Sequence, residues 1–96
     1  MDDPTIDDVC ALLGPDATSK LTAEDREAIA GLLRVRALVP EQRPYQKGAL
    51  TRRINDIVGY RTGREIALSA TELWWLWRRQ QRAEAQSYEK IKVYVD

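Results

Sequence analysis

Apolar residues recur at helical spacing in several stretches of the chain, and proline, glycine and helix-capping residues separate these stretches. A repeat at positions i, i+3, i+4 and i+7 marks the buried face of an amphipathic α-helix. A chain of 96 residues can bury one modest core and has no room for a second. The pattern therefore predicts a mostly α fold, a compact bundle of about four helices that forms a single domain over residues 1–96.

Capping signals locate the first two predicted helices. Asp3 followed by Pro4 is typical of a helix start, and the short helix that follows is expected to end at the turn-rich linker 14–20. The segment Thr22-Ala-Glu-Asp25 nearly matches a capping box, with Asp where Glu or Gln is usual. It predicts a second helix over 23–38, which ends before Pro40.

The other two helices have equally specific boundary signals. Pro44 can open a third helix, and Gly59 is its expected end. The segment Ser69-Ala-Thr-Glu72 matches the capping-box pattern in full and predicts the longest helix, from about residue 70 to 88.

The last residues, 90–95, alternate polar and apolar side chains and include β-branched Ile91 and Val93. Alternation of this kind is typical of a strand. A strand here could pair with 64–68 or with another chain, or the last helix could instead fray into an extended tail. The termini 1–4 and 90–96 are accordingly expected to be extended.

The residue inventory excludes several kinds of enzyme and metal site. The chain has no His and one cysteine, Cys10, so one copy cannot assemble a His/Cys zinc site, a Ser-His-Asp triad or a Cys-His pair. Its acidic pairs lack the spacing and the glycine of a calcium loop. We therefore expect no catalytic residue, no metal and no cofactor.

The same inventory bears on location. No stretch approaches the roughly 18 apolar residues of a membrane-spanning helix, and the acidic start does not resemble a secretory signal. With a single cysteine, an intramolecular disulfide is impossible. The sequence predicts a cytoplasmic protein that does not contact a membrane.

Charge is balanced overall but segregated along the chain. Residues 1–30 hold 8 acidic and 2 basic residues, residues 31–64 hold 2 and 8, and residues 65–96 hold five of each. Of the 15 basic residues 11 are Arg, a side chain that binds phosphate or carboxylate in a bidentate way. A GC-rich genome would also favour Arg and Ala codons, which makes a bacterial or phage source plausible.

The predicted last helix has two contrasting sides. One side groups Trp75 with Arg78, Arg79 and Arg82. The opposite side carries the expected core stripe, made of Leu73, Leu76, Trp77, Gln80 and Glu84. Either a second packing layer covers Trp75, or Trp75 and its Arg neighbours form a contact surface.

These features support two functional hypotheses. The first is a small bacterial or phage regulatory protein that binds DNA or RNA through an Arg/Trp-rich helical surface. Its expected contact residues are Arg52, Arg53, Arg61, Arg64, Trp75, Arg78, Arg79 and Arg82. The alternative is a non-enzymatic protein-interaction module, such as an inhibitor, adaptor or assembly factor. That module could be a homodimer, in which the acidic segment masks or pairs with the basic surface.

Overall fold

The structure, a computed structural model, describes the backbone of residues 3–95 and the side chains of residues 3–85. Over these residues the chain is helical, with no strand, so the mostly α prediction is confirmed. The helices are α1 Ile6–Leu13, α2 Pro15–Thr18, α3 Ala23–Leu38, α4 Pro44–Thr62 and α5 Ala70–Val95.

The near match at residues 22–25 is a working capping box. The Asp25 carboxylate accepts a hydrogen bond from the Thr22 backbone N–H at 3.0 Å, and the Thr22 hydroxyl accepts one from the Asp25 N–H at 3.1 Å. These two hydrogen bonds provide acceptors for the backbone N–H groups of Thr22 and Asp25. The first N–H groups of a helix have no acceptor within the helix itself. The predicted span of α3, residues 23–38, is confirmed.

The predicted start of α1 at Asp3-Pro4 is wrong. Thr5 is the N-cap, because its side chain and that of Asp8 form a reciprocal capping box. The Thr5 N–H donates to the Asp8 carboxylate at 2.8 Å. The following linker also contains more structure than expected, since residues 15–18 form the single turn α2.

The predicted end of α4 at Gly59 is also wrong. The helix continues for three residues and ends at Gly63, which adopts the left-handed conformation with φ of 70°. Glycine is the residue that takes this conformation without a steric penalty, so Gly63 is the better helix stop. Gly59 is instead an interior helix residue whose carbonyl accepts from the Gly63 N–H at 2.8 Å.

The core lies between α1, α2, α3, α4 and the segment that follows α4. Its buried apolar residues are Val9, Leu13, Ala17, Leu21, Ile29, Leu33, Ile54, Val58 and Ile66. Ile66 is held there by Asn55, whose side chain donates to the Ile66 carbonyl at 2.9 Å and accepts from its N–H at 2.8 Å. The hydrogen bonds to Asn55 replace the predicted strand pairing of 64–68, a segment without regular secondary structure.

The last helix, α5, is 26 residues long, or about 39 Å at 1.5 Å per residue. Residues 90–95 continue this helix, so both the predicted strand and the predicted extended tail are wrong there. Residues 1, 2 and 96 of the predicted extended termini lie outside the described residues. Among the described residues, the extensive helix pairs are α3–α4, α1–α2, α1–α3 and α2–α4, and α5 belongs to none of them. Within the described part of the chain, no helix combines the length and the apolar content that crossing a membrane requires.

Candidate functional site

The first turn of α5 is attached to α3 and α4 by the carboxylate of Glu72. One carboxylate oxygen, Oε1, lies 3.2 Å from Nη2 of Arg36 and accepts a 2.8 Å hydrogen bond from the Thr51 hydroxyl. The other, Oε2, accepts from the Leu68 N–H at 2.8 Å. Arg36 Nε also donates to the Thr51 hydroxyl at 2.9 Å. The three side chains thus form one closed network, which determines where α5 begins.

Past this attachment, α5 exposes an unusual concentration of large apolar side chains. The exposed fractions are 62% for Leu73, 46% for Trp74, 57% for Trp75 and 52% for Trp77. These are all three tryptophans of the chain, and they lie within four consecutive residues. A large exposed apolar patch on one protein molecule is typical of an interaction site.

The expected core stripe of α5 is therefore wrong. Leu73 and Trp77 are more than half exposed, Leu76 is half-buried, and no described core residue lies on α5. The alternative in which a second layer covers Trp75 is also wrong for a single copy. Both predictions require that the chain covers the apolar face of its own helix. Because α5 packs extensively against no other described helix, this face stays exposed.

The contacts of α5 show which of its sides faces the bundle. Glu72 contacts α3 and α4, and Arg79, three residues beyond Leu76, contacts Glu65 at 3.2 Å. At 100° per residue, Glu72, Leu76 and Arg79 share one edge of the helix. The opposite arc spans about 200°, and six of its exposed residues carry the large apolar side chains and the cations. In order around the helix they are Leu73, Trp77, Trp74, Arg78, Arg82 and Trp75.

The aromatic residues and one cation on this arc are already in contact. The Trp74 and Trp75 rings are arranged edge to face, with centroids 4.8 Å apart and an interplanar angle of 77°. The Arg78 guanidinium lies 5.0 Å from the centroid of the Trp74 ring. A guanidinium over an indole is a favourable cation–π geometry, so Arg78 is oriented before any partner arrives.

Two predicted contact residues, one in the last turn of α4 and one just after it, have partners within the chain. Arg61 Nε lies 2.8 Å from the Asp25 carboxylate, and Arg64 Nη1 donates to the Leu13 carbonyl at 2.9 Å. These contacts join the end of α4 to α3 and α1. Arg61 and Arg64 therefore stabilise the packing of the bundle as well as lying on its surface.

The eight predicted contact residues do not lie together in one described cluster. Trp75, Arg78 and Arg82 share the outward arc of α5, whereas Arg79 faces Glu65. Arg52 and Arg53 are exposed on α4. Three of the seven predicted Arg contacts, Arg61, Arg64 and Arg79, are thus engaged in contacts within the chain.

The Asp25 carboxyl is the titratable group that this arrangement perturbs. Its pKa is lowered, first by the hydrogen bond from the Thr22 backbone N–H and further by the Thr22 hydroxyl and by Arg61. Each of these contacts favours the ionised carboxylate, and together they outweigh its partial desolvation. Asp25 accordingly stays charged as the cap of α3 and the partner of α4.

Sequence reasoning missed the network that places α5. Arg36 belongs to the basic segment 31–64, but it lies at i+7 from Ile29 and i+3 from Leu33, on the buried face of α3. A cation at that spacing predicts a buried carboxylate partner, because an unpaired charge is too costly to bury. Glu72 provides this partner, a role that its predicted place in a capping box does not indicate.

Over the described residues, no group of three or more metal-ligating side chains is positioned to hold a metal ion. Comparison with protein-family models, with curated proteins and with solved structures finds no match to this chain.

Proposed function

We propose that this chain is a non-enzymatic protein-interaction module that binds its partner through the outward arc of α5. We give the name α5 surface to six exposed residues on this arc, namely Leu73, Trp74, Trp75, Trp77, Arg78 and Arg82. The observation that carries the proposal is that all four apolar members are about half exposed on a helix that packs extensively against no other described helix.

The exposed area is large enough to drive association. A tryptophan side chain offers about 150–250 Å², so three half-exposed indoles and Leu73 present on the order of 400 Å² of apolar surface. Burying that area would contribute on the order of 10 kcal/mol before the costs of association. Because this apolar area is exposed to water in a single copy, it does not stabilise the fold. Its exposure therefore favours a role in binding.

The composition of the α5 surface also suits a protein partner. Trp and Arg are the side chains most enriched at interface hot spots. The cation–π contact between Arg78 and Trp74 reduces the conformational freedom that binding would otherwise remove. We expect Trp75→Ala to weaken the complex by more than about 2 kcal/mol.

The nucleic-acid hypothesis receives less support from the same residues. Binding that depends on phosphate contacts needs several free cations, and Arg61, Arg64 and Arg79 are engaged within the chain. Arg52 and Arg53 lie on α4 and not on α5. A net charge of zero also provides no long-range attraction to a polyanion.

A cytoplasmic location suits this proposal. The single cysteine, Cys10, is half-buried and unpaired, which is compatible with a reducing compartment. The Arg- and Ala-rich composition, which a GC-rich genome favours, is consistent with a bacterial or phage source.

Site-specific photo-crosslinking tests the proposal. A benzophenone amino acid replaces Trp77 in the α5 surface or, as a matched control, Tyr45, an exposed aromatic residue at the start of α4. After irradiation in cells, we expect a discrete protein adduct from position 77 and none from position 45. Mass spectrometry then identifies the adduct as a second copy of this chain or as another protein.

Two outcomes contradict the proposal. One is equal labelling from both positions, which would mean that the α5 surface is not a specific contact. The other is an adduct at position 77 that nuclease treatment removes, together with low-salt retention on DNA or RNA. That second result would support the nucleic-acid hypothesis instead.

A further inference from the structure

The N-terminal helices carry a second exposed surface, opposite in charge to the α5 surface. We call it the α1–α2 surface; it consists of Asp7, Asp8, Ala11, Leu12 and Asp16, all exposed. In α1, Val9 and Leu13 face the core, so the four α1 members lie on the outward side. The favourable position of acidic residues near helix starts accounts for the aspartates, but not for Leu12, which is 58% exposed.

The two surfaces are complementary in chemistry. The α5 surface has indole rings beside Arg78 and Arg82, with Glu84 as the one carboxylate on the same arc among the described residues. The α1–α2 surface has an exposed leucine among three carboxylates. Within residues 3–85, no ion pair of 4 Å or less involves Asp7, Asp16, Arg78 or Arg82. Among the described residues of a single copy, α1 and α5 are not one of the extensive helix pairs.

We propose that the occupant of the α5 surface is a second copy of this chain, docked through its α1–α2 surface. Two reciprocal contacts of this kind, related by a two-fold axis, close a dimer. This dimer rests on the proposed function, since it requires that the α5 surface binds protein. It specifies the partner that the proposed function leaves open.

The areas and charges on the two copies fit this arrangement. One contact offers on the order of 400 Å² of apolar surface from α5, and a reciprocal pair doubles it. Together with polar area and the α1–α2 side, this reaches the range of about 1,200–2,000 Å² that stable interfaces bury. Zero net charge means that two copies approach without overall repulsion.

A charge-swap experiment tests the dimer. The variant R78E/R82E makes the α5 surface acidic, and the variant D7K/D16K makes the α1–α2 surface basic. Sedimentation velocity should give a wild-type mass of twice 11.0 kDa. Each variant alone should dimerise about tenfold more weakly or worse, because like charges then meet at both contacts.

Mixing the two variants gives the decisive readout. In the mixed pair, each α5 surface meets an α1–α2 surface of opposite charge, so an equimolar mixture should recover the dimer mass. The matched control is R52E/R53E, which makes the same charge change at exposed residues of α4 and should leave the wild-type dimer intact. Circular dichroism verifies that each variant is folded. If D7K/D16K does not fold, D7N/D16N replaces it and should also weaken the dimer.

Several results overturn the dimer. They are a monomeric wild type at all concentrations, a dimer that persists in R78E/R82E, a mixture that stays monomeric, and assembly that grows past two copies. A monomer whose position 77 still crosslinks to a different protein would refute the dimer and leave the proposed function standing. A monomer without any α5 adduct would refute both.

Discussion

The Arg36 guanidinium and the Glu72 carboxylate lie 3.2 Å apart with side-chain exposures of 5% and 17%, and this ion pair attaches α5 to the helical bundle. We expect Glu72→Ala to lower the free energy of unfolding by about 3–5 kcal/mol, because it leaves the Arg36 charge buried without a partner. Urea denaturation measures the change.

Two control variants show whether the loss of stability comes from the unpaired buried charge of Arg36. Glu65→Ala removes the exposed partner of Arg79 and should cost at most about 1 kcal/mol. The double variant Arg36→Met/Glu72→Met should recover most of the loss, because it removes both charges together. Equal losses from Glu72→Ala and Glu65→Ala would show that the Arg36–Glu72 pair does not hold α5.

Asn55 anchors the segment between α4 and α5 through two hydrogen bonds to the backbone of Ile66. We expect Asn55→Ala to cost about 1–3 kcal/mol, because it leaves a donor and an acceptor unpaired beside the core. Hydrogen exchange at the Ile66 amide should accelerate in this variant. Asn55→Asp retains the acceptor and loses the donor, so exchange as fast in Asn55→Asp as in Asn55→Ala would contradict the two-bond geometry.

Two glycines of α4 should respond to alanine in opposite directions. Gly63 has φ of 70°, so Gly63→Ala should destabilise the protein by about 1–2 kcal/mol. Gly48 lies inside the helix, and an added Cβ there meets nothing within 4 Å, so Gly48→Ala should stabilise by about 0.5–1 kcal/mol. Thermal denaturation of both variants tests the assignment, and a loss of stability in Gly48→Ala would contradict it.

The capping box of α3 should make stability sensitive to acid. Because the folded pKa of Asp25 is below its ordinary value of 3.8, the carboxylate contributes stability above that pH and loses it as the pH falls through the folded pKa. Asp25→Asn should therefore destabilise the protein at about pH 7 and by a smaller amount at about pH 3. Urea denaturation at both values measures the difference.

Arg61→Met provides the control for this prediction. It removes the ion pair with Asp25 but leaves the hydrogen bonds from Thr22, which include the largest cause of the pKa shift. Most of the acid sensitivity should thus survive in Arg61→Met. Its complete loss there would show that the ion pair, and not the cap, lowers the pKa of Asp25.

Local rules predicted the parts of the fold that local contacts determine. The start of α3 at Thr22 and the start of α5 after Ser69 follow from side chains that bond backbone N–H groups within three residues. The length of α5 could not be read in the same way. Residues 90–95 have strand-like alternation, but extending an existing helix adds a hydrogen bond per residue without a new nucleation cost.

The site was harder to predict than the fold, for a physical reason. Helical periodicity shows that Leu73 and Trp77 share a side of α5, and it cannot show whether the same chain covers that side. That depends on the buried contact between Arg36 and Glu72, which are 36 residues apart in the sequence. Trp75 and Arg78 could be predicted as contact residues because Trp and Arg are enriched at interface hot spots, whatever the orientation of the helix.

Acrylamide quenching of tryptophan fluorescence tests the central claim most directly, because all three tryptophans lie on α5 and no other part of the chain contributes. In dilute wild-type protein the quencher should reach the indoles freely. Quenching should then decrease as the protein concentration rises into the range of the dimer, and single-stranded or duplex DNA should leave it unchanged. Strong protection at high dilution, or protection that appears with DNA and not with protein concentration, would contradict the claim that the α5 surface is an exposed protein-binding face.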